Sequence, residues 1–174
     1  SACRVPAENL LGEEGRGLAY MRAGLDMERA GFTGLAVGIA EAALEAAVSY
    51  ARVRRQFGQP IASFQMVQQM LAQTATEIEA ARLLAERAAV LLDRGEDITK
   101  QASFAKLFGA QMVLRATQTA VQVLGGYGFT REFPVERFYR DAAIVGIGGG
   151  TSQIQVLIIA KELMKEASAR GRRG

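Results

Sequence analysis

The sequence predicts an all-α protein, an antiparallel four-helix bundle that follows a short extended segment. Apolar residues recur every three or four positions over long stretches, and no stretch alternates in the way a convincing strand does. Clusters of glycine and proline divide the chain into three helical stretches of about thirty residues and one of about twenty. Because helices of this length joined by short links pack as a bundle, we expect residues 18–174 to form one helical domain. Residues 1–17 are expected to be extended or loop-like.

The first two helices are defined by where they stop. We expect the first helix to run from about Leu18 to Arg52, because this stretch has no proline and its glycines lie among strong helix formers. Gly58 and Pro60 end it. The second helix stops near Gly95. Its apolar stripe consists of Phe64, Val67, Leu71, Ile78, Ala81, Leu84 and Ala88.

The second half of the chain contains two more long helices with a glycine-rich stop between them. The third helix is predicted from near Thr99 to Leu124, where a group of glycines ends it. A short helix or turn follows Pro134 over residues 135–139. After a glycine run, the last helix is predicted over about 151–169. The glycines that stop the third helix are Gly125, Gly126 and Gly128.

The composition excludes several classes of function. The chain has 174 residues, 49% of them hydrophobic, which is enough for one core. Its net charge is only +3, and no basic run is interleaved with aromatic residues, so we expect no nucleic-acid binding. Histidine is absent and Cys3 is the single cysteine, which predicts no metal site and, weakly, a cytoplasmic location. We expect no membrane span, because no uncharged apolar run of about eighteen residues occurs.

The first predicted helix has one charged residue in an otherwise apolar series. Glu28 occupies the slot missing from a series with three- and four-residue steps, and this period turns Glu28 inward with the stripe. Burying an ionised carboxylate costs several kcal/mol unless it is paired. Two interpretations are open: a structural ion pair with Arg22 or Arg29, or a base strengthened by desolvation. The series is Leu18, Met21, Leu25, Phe32, Leu35 and Ile39.

Three further segments have both a functional and a structural interpretation. Residues 54–58 place two guanidinium groups at a helix C-terminus, which suits phosphate contact but equally an ordinary capping cluster. Residues 122–128 offer glycines where a backbone could approach a ligand, or only a helix stop. For the charged residues near 136–141 we favour a structural ion network over a catalytic set. Those residues are Glu136, Arg137, Arg140 and Asp141.

The glycine run before the last helix is the most specific local signal. Gly148, Gly149 and Gly150 lead into Thr151, a good N-cap residue, so free backbone N–H groups at a helix start face a loop without side chains. Such a site suits an anion or a flat polar ring. It is neither a Walker loop nor a dinucleotide fingerprint, since no lysine follows at the required position and no strand precedes it. A plain glycine-rich helix entry stays open.

These segments together resemble the C-terminal helical domain of the acyl-CoA dehydrogenase family, in order and in spacing. The opening residues 4–12 resemble the exit from that family's middle β-domain, so the resemblance assigns residues 1–17 to that exit segment. It also implies that an N-terminal helical domain and the β-domain are missing, which a start at Ser1 also suggests. The segments that carry the resemblance are residues 50–61, Gln65, 121–129, 134–137, 139–141 and 150–155.

The resemblance implies an FAD enzyme that oxidises an acyl-CoA thioester to the trans-2-enoyl-CoA and passes electrons to an electron-transfer flavoprotein. It implies a homo-oligomer, dimer or tetramer, because in the family the arginine and Gln-x-x-Gly-Gly motifs reach the flavin of a neighbouring subunit. Its implied substrate-binding residues are Asp26, Arg29, Gly150 and Lys161, the last replacing an arginine found in some members. Its implied FAD-binding residues are Arg54, Gln56, Phe57, Gln65, Gln122, Gly125, Gly126, Thr151 and Gln153.

The implied catalytic base departs from the commonest family pattern. Most members carry the catalytic glutamate immediately before the Gly-Thr pair, where this chain has Gly149. In the isovaleryl and long-chain branches the glutamate lies on the first long helix in a Leu-Asp-x-Glu-Arg context, which residues 25–29 reproduce. The resemblance therefore implies that Glu28, the residue singled out by periodicity, is the base. This placement of the base favours acyl-CoA substrates with branched or long acyl chains.

Two alternatives stay open at this stage. One is an oligomerisation bundle without turnover of its own, which upstream coding sequence for two more domains would argue against. The other is a flavin acyl-CoA oxidase, which uses the same residues and differs in oxygen access, so that peroxide produced during turnover would identify it.

Overall fold

The computed structural model describes residues 2–171 and confirms the all-α bundle. Residues 1 and 172–174, which the predicted domains include, lie outside the described part. The long helices lie within two residues of their predicted bounds at nearly every end. In order, the elements are α1 (Gly17–Val53), β1 (Arg55–Gln56), β2 (Gln59–Pro60), α2 (Gln65–Asp93), α3 (Thr99–Leu124), α4 (Gly126–Phe129), α5 (Val135–Ala142) and α6 (Ser152–Gly171).

Helix α3 lies at the centre and contacts α1, α2, α5 and α6. It is buried along most of its length, which explains why its sequence is apolar on more than one face. α1 meets it through alanines, whose small side chains let two helix backbones approach closely. The alanines of α1 in the core are Ala36, Ala40, Ala43, Ala47 and Ala51, each no more than 1% exposed.

The predicted inward stripe of α1 is only partly confirmed, because Phe32 and Ile39 pack against the core whereas the rest of the stripe does not. Leu18, Met21 and Leu35 are 56%, 54% and 49% exposed, and Glu28 is exposed with them. Large apolar side chains dominated the periodicity, but close packing against α3 selects the face with small residues. The buried face of α1 instead consists of Arg29, Thr33 and Val37 with the alanines.

The apolar character of α1 also bears on the expectation of no membrane span. Among residues 2–171, α1 is the one helix long and apolar enough by length and composition to cross a membrane. Core helices pass the same test, and α1 packs along α3 and α2 in the bundle. The absence of a membrane span stays a prediction.

A two-residue hairpin between α1 and α2 was missed by the sequence analysis. Its strands pair antiparallel, with Arg55 opposite Pro60 and Gln56 opposite Gln59. The turn places Phe57 at φ 50° and Gly58 at φ 82°, both in the left-handed region. Two consecutive positive φ angles are typical of a type I′ hairpin turn, but phenylalanine is rare at such a position. The strands are too short for an alternating pattern to predict them.

Candidate active site and cofactor cleft

Glu28 and the glycine run lie against each other. Gly149 has φ +64°, and a Cβ atom placed on it would lie 3.4 Å from Glu28 Oε1 and 3.7 Å from Glu28 Cδ. A side chain at position 149 would therefore lie directly beside the Glu28 carboxylate. Sequence analysis linked these two positions only through the family resemblance, and the structure brings them together.

The structure does not support a structural ion pair between Glu28 and Arg22 or Arg29. Arg29 Nη1 instead donates to Asp26 Oδ1 at 2.6 Å, with side chains only 9% and 13% exposed. Thr99 Oγ1, at the start of α3, donates to Asp26 Oδ2 at 2.7 Å. Within residues 2–171, no cation lies within ion-pair distance of Glu28. Its carboxylate is therefore available to a ligand.

Buried donors on the helices hold the carbonyls of the loop before α6. Arg29 Nε donates to Gly149 O at 3.4 Å, and Gln155 Nε2 donates to Gly150 O at 3.0 Å. Thr151 acts as the predicted N-cap, since its Oγ1 accepts from Ile154 N at 3.4 Å. The loop therefore has its position fixed from inside the bundle, by side chains of α1 and α6.

Lys106 is a buried cation that the sequence analysis missed. It lies on α3, is 1% exposed, and donates from Nζ to Val145 O just before the glycine run. Its Nζ also lies 5.8 Å from the centroid of the Phe32 ring. Burial lowers the pKa of Lys106, the Arg29 charge lowers it further, and the Glu28 charge raises it. The signal was available, because Lys106 falls on the apolar stripe of α3 with Ala102, Ala110 and Val113.

A second site is a cleft of about 480 Å³ between the hairpin and the end of α3, here called the hairpin cleft. Arg54 and Gln56 line it on one side, and Gly125 and Gly126 on the other. A Cβ atom on either glycine would meet no heavy atom within 4 Å, so the backbone there is open to a ligand. Its aromatic wall contains Tyr50 and Tyr127, whose ring centroids lie 6.2 Å apart.

Arg54 has the character of an anion-binding group. It is the C-cap residue of α1, with its backbone N–H donating to Tyr50 O, and among the residues described no carboxylate lies within 4 Å of its guanidinium. Neighbouring Arg55 is used within the hairpin, where Nη2 donates to Gly58 O at 2.9 Å. The cleft thus combines a cation with no carboxylate partner among residues 2–171, an amide and bare backbone, a set of donors suited to a phosphate-bearing group.

The other predicted site residues lie at the edges of these two sites or apart from them. Phe57 is 91% exposed at the hairpin tip and packs edge-on against Phe64, with centroids 6.2 Å apart. Gln65 and Gln122 are exposed, and neither lines the hairpin cleft. Thr151 and Gln153 lie at the start of α6 beside the glycine run. Lys161 lies farther along α6, in a shallow groove with Met164 and Lys165.

The structure contains one ion pair of the network expected near 136–141. Arg140 Nε donates to Glu136 Oε2 at 2.9 Å on the exposed side of α5, which is the structural role predicted for this pair. Over residues 2–171, no three acidic, cysteine or histidine side chains cluster as metal ligands would.

Comparison with known proteins gives one consistent family. A profile described as "Acyl-CoA dehydrogenase, C-terminal domain" matches residues 15–164. Cyclohexane-1-carbonyl-CoA dehydrogenase of Geobacter metallireducens is 48% identical over 165 residues, which cover 95% of this chain and 43% of that protein. The mitochondrial short-chain specific acyl-CoA dehydrogenase of Rattus norvegicus is 46% identical over 163 residues, covering 94% and 40%.

Solved structures agree with this result. The butyryl-CoA dehydrogenase of Megasphaera elsdenii superimposes with a TM-score of 0.90 at 44% identity, covering 92% of this chain and 42% of that chain. The chain therefore spans well under half the length of these relatives.

Proposed function

The chain belongs to the acyl-CoA dehydrogenase C-terminal domain family, and we propose that it is the C-terminal part of an FAD-dependent acyl-CoA dehydrogenase. In this proposal the full-length enzyme removes the α-proton and a β-hydride from an acyl-CoA, forming the trans-2-enoyl-CoA. An electron-transfer flavoprotein is the proposed electron acceptor. The proposed location, the cytoplasm, follows only from the cysteine content.

We propose Glu28 as the base that takes the α-proton. The observation that carries this proposal is the distance of 3.4 Å between Glu28 Oε1 and a Cβ atom added to Gly149. Position 149 is where the family resemblance leads us to expect a carboxylate. Either position delivers a carboxylate to the same space. Within residues 2–171 no cation pairs with the Glu28 carboxylate, which leaves its oxygens open to a substrate in this proposal.

Glu28 acts as a base only where water is excluded, since a solvated carboxylate is too weak for a proton beside a thioester. In this chain it is exposed, on a face with the half-exposed apolar residues Met21 and Leu35. We propose that other parts of the full-length protein, together with the bound acyl chain, cover this face. The backbone N–H groups of the glycine run would then stabilise the developing enolate.

We propose that FAD binds partly in the hairpin cleft, a proposal that the donors lining the cleft support. Arg54 and Gln56 would bind its phosphates or sugar, and the bare backbone at Gly125 and Gly126 would allow close approach. When bound, FAD would accept the β-hydride. Phe57, Gln65, Gln122, Thr151 and Gln153 complete the proposed contacts.

Most of the proposed FAD contacts fall on two surfaces. Arg54, Gln56, Gly125 and Gly126 line the hairpin cleft, whereas Thr151 and Gln153 lie at the start of α6. Sharing each flavin between subunits would use one surface from each of two chains, so the arrangement supports a homo-oligomer. For the substrate, we propose that Asp26, Arg29 and Gly150 shape the acyl pocket. Lys161 would contact the CoA moiety as a point charge rather than as a bidentate fork.

The experiment that tests the base is Glu28→Gln in the full-length enzyme. Glutamine keeps the size of the side chain but does not accept the proton, so flavin reduction by saturating acyl-CoA should slow by about 10² to 10⁴. Stopped-flow absorbance of the flavin measures this rate. Acyl-CoA binding should persist. The matched control is Glu45→Gln, which removes an exposed carboxylate farther along α1 and should leave the rate unchanged.

A second variant tests the shared space. Gly149→Glu in the Glu28→Gln enzyme should restore part of the rate, but not all of it, because φ +64° strains a side chain at this position by about 1 to 2 kcal/mol. A Glu28→Gln enzyme with the wild-type rate of flavin reduction would remove Glu28 from the mechanism.

A further inference from the structure

Gln155 is a buried polar side chain to which the mechanism above assigns no role. It is 0% exposed and is the one buried residue of α6 among the residues described. Its Nε2 donates to Gly150 O at 3.0 Å and reaches Thr151 O at 3.5 Å. Its Oε1 has no hydrogen-bond partner within residues 2–171. Methionine would fill a similar space without burying an unpaired acceptor, so packing alone does not explain a glutamine here.

Gln155 meets Gly150 on a side that leaves no room for a side chain. A Cβ atom on Gly150 would lie 3.0 Å from Gln155 Nε2, and Gly150 has φ +95°. Both the approach of the amide and the path of the backbone therefore depend on glycine at this position. Because Gly150 is among the residues proposed to shape the acyl pocket, Gln155 lies directly behind the wall of that pocket.

Buried side chains hold the carbonyls of two consecutive peptide groups. Gly149 O accepts from Arg29 Nε at 3.4 Å, and Gly150 O accepts from Gln155 Nε2. These peptide groups are trans, and in a trans peptide the N–H points opposite to the C=O. The N–H groups of Gly150 and Thr151 are therefore directed away from Arg29 and Gln155. Within residues 2–171, neither N–H donates to a protein acceptor.

We propose that Gln155 is a positioning residue for removal of the α-proton. By holding Gly150 O, it keeps the adjacent N–H groups turned toward the substrate, where they stabilise the negative charge that develops on the thioester oxygen. This inference rests on the proposed function. Gln155 touches no reacting atom and acts through the backbone. Because donors held in place favour the enolate over the neutral substrate, the effect falls on the reaction rather than on acyl-CoA binding.

Gln155→Met in the full-length enzyme removes both donor hydrogens and keeps the length of the side chain. Flavin reduction at saturating acyl-CoA should slow by about tenfold, because the contact between the N–H groups and the enolate is weakened. The half-saturating concentration of acyl-CoA should stay within about threefold of the original. Stopped-flow absorbance measures both, with rates referred to bound flavin. The matched control is Gln118→Met, which changes an exposed glutamine of α3 and should alter neither quantity.

A substrate analogue reports on the enolate without turnover. A 3-thiaacyl-CoA carries sulfur in place of the β-carbon, so its α-proton can be removed but no hydride can leave. Its enolate beside the oxidised flavin should absorb at long wavelength by charge transfer, and this band measures the ionised fraction of the bound analogue. At fixed pH, Gln155→Met should lower the ratio of ionised to neutral analogue by about tenfold. A merely structural role would lower stability and leave this ratio unchanged.

Gln155→Asn supplies a second variant that retains a carboxamide on α6. Asparagine is one methylene shorter, which withdraws the donor from Gly150 O. The variant should lower the rate of flavin reduction and the ionised ratio as Gln155→Met does. Because it introduces neither a charge nor a bulkier group, it gives the answer where the methionine variant does not fold.

The outcomes distinguish this inference from the function on which it rests. A wild-type ionised ratio in either variant of Gln155, with Glu28→Gln still slow, overturns the inference alone. So does a raised half-saturating concentration of acyl-CoA with an unchanged maximal rate. Failure of both variants to fold also overturns it, because that result assigns Gln155 a structural role. A wild-type rate in Glu28→Gln overturns the proposed function itself, and the role of Gln155 with it.

Discussion

The glycine-run site and the hairpin cleft differ in how their polar groups are satisfied. At the glycine run, Asp26, Arg29 and Gln155 are largely buried and bind one another or the loop. In the hairpin cleft, Arg54 and Gln56 are exposed, and Arg54 has no carboxylate partner in the described part of the chain. The first site is held together by contacts within this chain, whereas the second leaves its polar groups open to solvent.

The comparison shows which polar groups are fixed in position before a ligand binds. Buried and mutually bonded groups are fixed before a ligand arrives, and removing one of them leaves the others unsatisfied. Exposed groups cost little to leave unpaired, because water satisfies them. Substitutions in the glycine-run site should therefore lower the free energy of unfolding. Substitutions in the hairpin cleft should instead weaken ligand binding.

The largest expected effect is that of breaking the pair between Asp26 and Arg29. Arg29→Met leaves the carboxylate of Asp26 without its cation and removes the donor to Gly149 O, so the free energy of unfolding should fall by about 3 kcal/mol. Urea denaturation followed by circular dichroism measures it. Arg22→Met, which removes an exposed guanidinium from the same helix, should change it by less than about 0.5 kcal/mol.

A double variant checks the cause. Adding Asp26→Asn to Arg29→Met removes the unpaired charge and should recover part of the loss. Equal losses for Arg29→Met and Arg22→Met would contradict the account of the site as internally held.

An intermediate effect, on ligand rather than on stability, is expected in the hairpin cleft. In the full-length enzyme, Arg54→Ala should weaken FAD binding by about 1.5 to 3 kcal/mol through the loss of a charge-assisted contact. The free energy of unfolding without FAD should stay within about 0.5 kcal/mol of the original. Flavin retained after dilution and filtration measures the first quantity, with Arg52→Ala as the control. Unchanged retention in Arg54→Ala would reject the role.

The smallest expected effect tests how α3 is anchored beside Asp26. Asp97 Oδ1 accepts from Thr99 N at 2.9 Å, and this hydrogen bond lowers the pKa of Asp97. Asp97→Ala removes this hydrogen bond and should cost about 1 kcal/mol of unfolding free energy at pH 7. A lowered carboxyl pKa stabilises the fold above the unfolded pKa and loses its effect as pH falls. The difference between the variant and the original should therefore shrink below about pH 4 in urea titrations. A difference that persists at pH 2 would contradict this origin.

The sequence was sufficient for the bundle because its helix signals are local. Residues 99–124 were predicted as a helix and form α3, since Leu, Ala and Gln favour helix and Gly125 stops it at φ +61°. The hairpin escaped prediction because its two-residue strands carry no period, and a positive φ at Phe57 is not a preference of that residue.

The candidate site was only partly predictable, because its contacts are between distant segments. Periodicity singled out Glu28 but assigned it to the wrong face, since the small-residue face of α1 packs against α3. Its closeness to Gly149 depends on how α1 and the loop before α6 come together, which no local pattern encodes. Lys106 could have been found by the argument used for Glu28, a charge in an apolar helical stripe.

The short distance between Glu28 and position 149 has an evolutionary consequence. Two carboxylates confined to one small space repel each other, so a protein carrying an acid at both positions would hold one of them protonated. On the proposed role of Glu28, an acid at either position could serve as the base. Moving the base from the loop to the helix, or back, would then take two substitutions, the gain of one acid and the loss of the other. The left-handed backbone at Gly149 makes the reverse step the harder one, because a new side chain there meets strain at once.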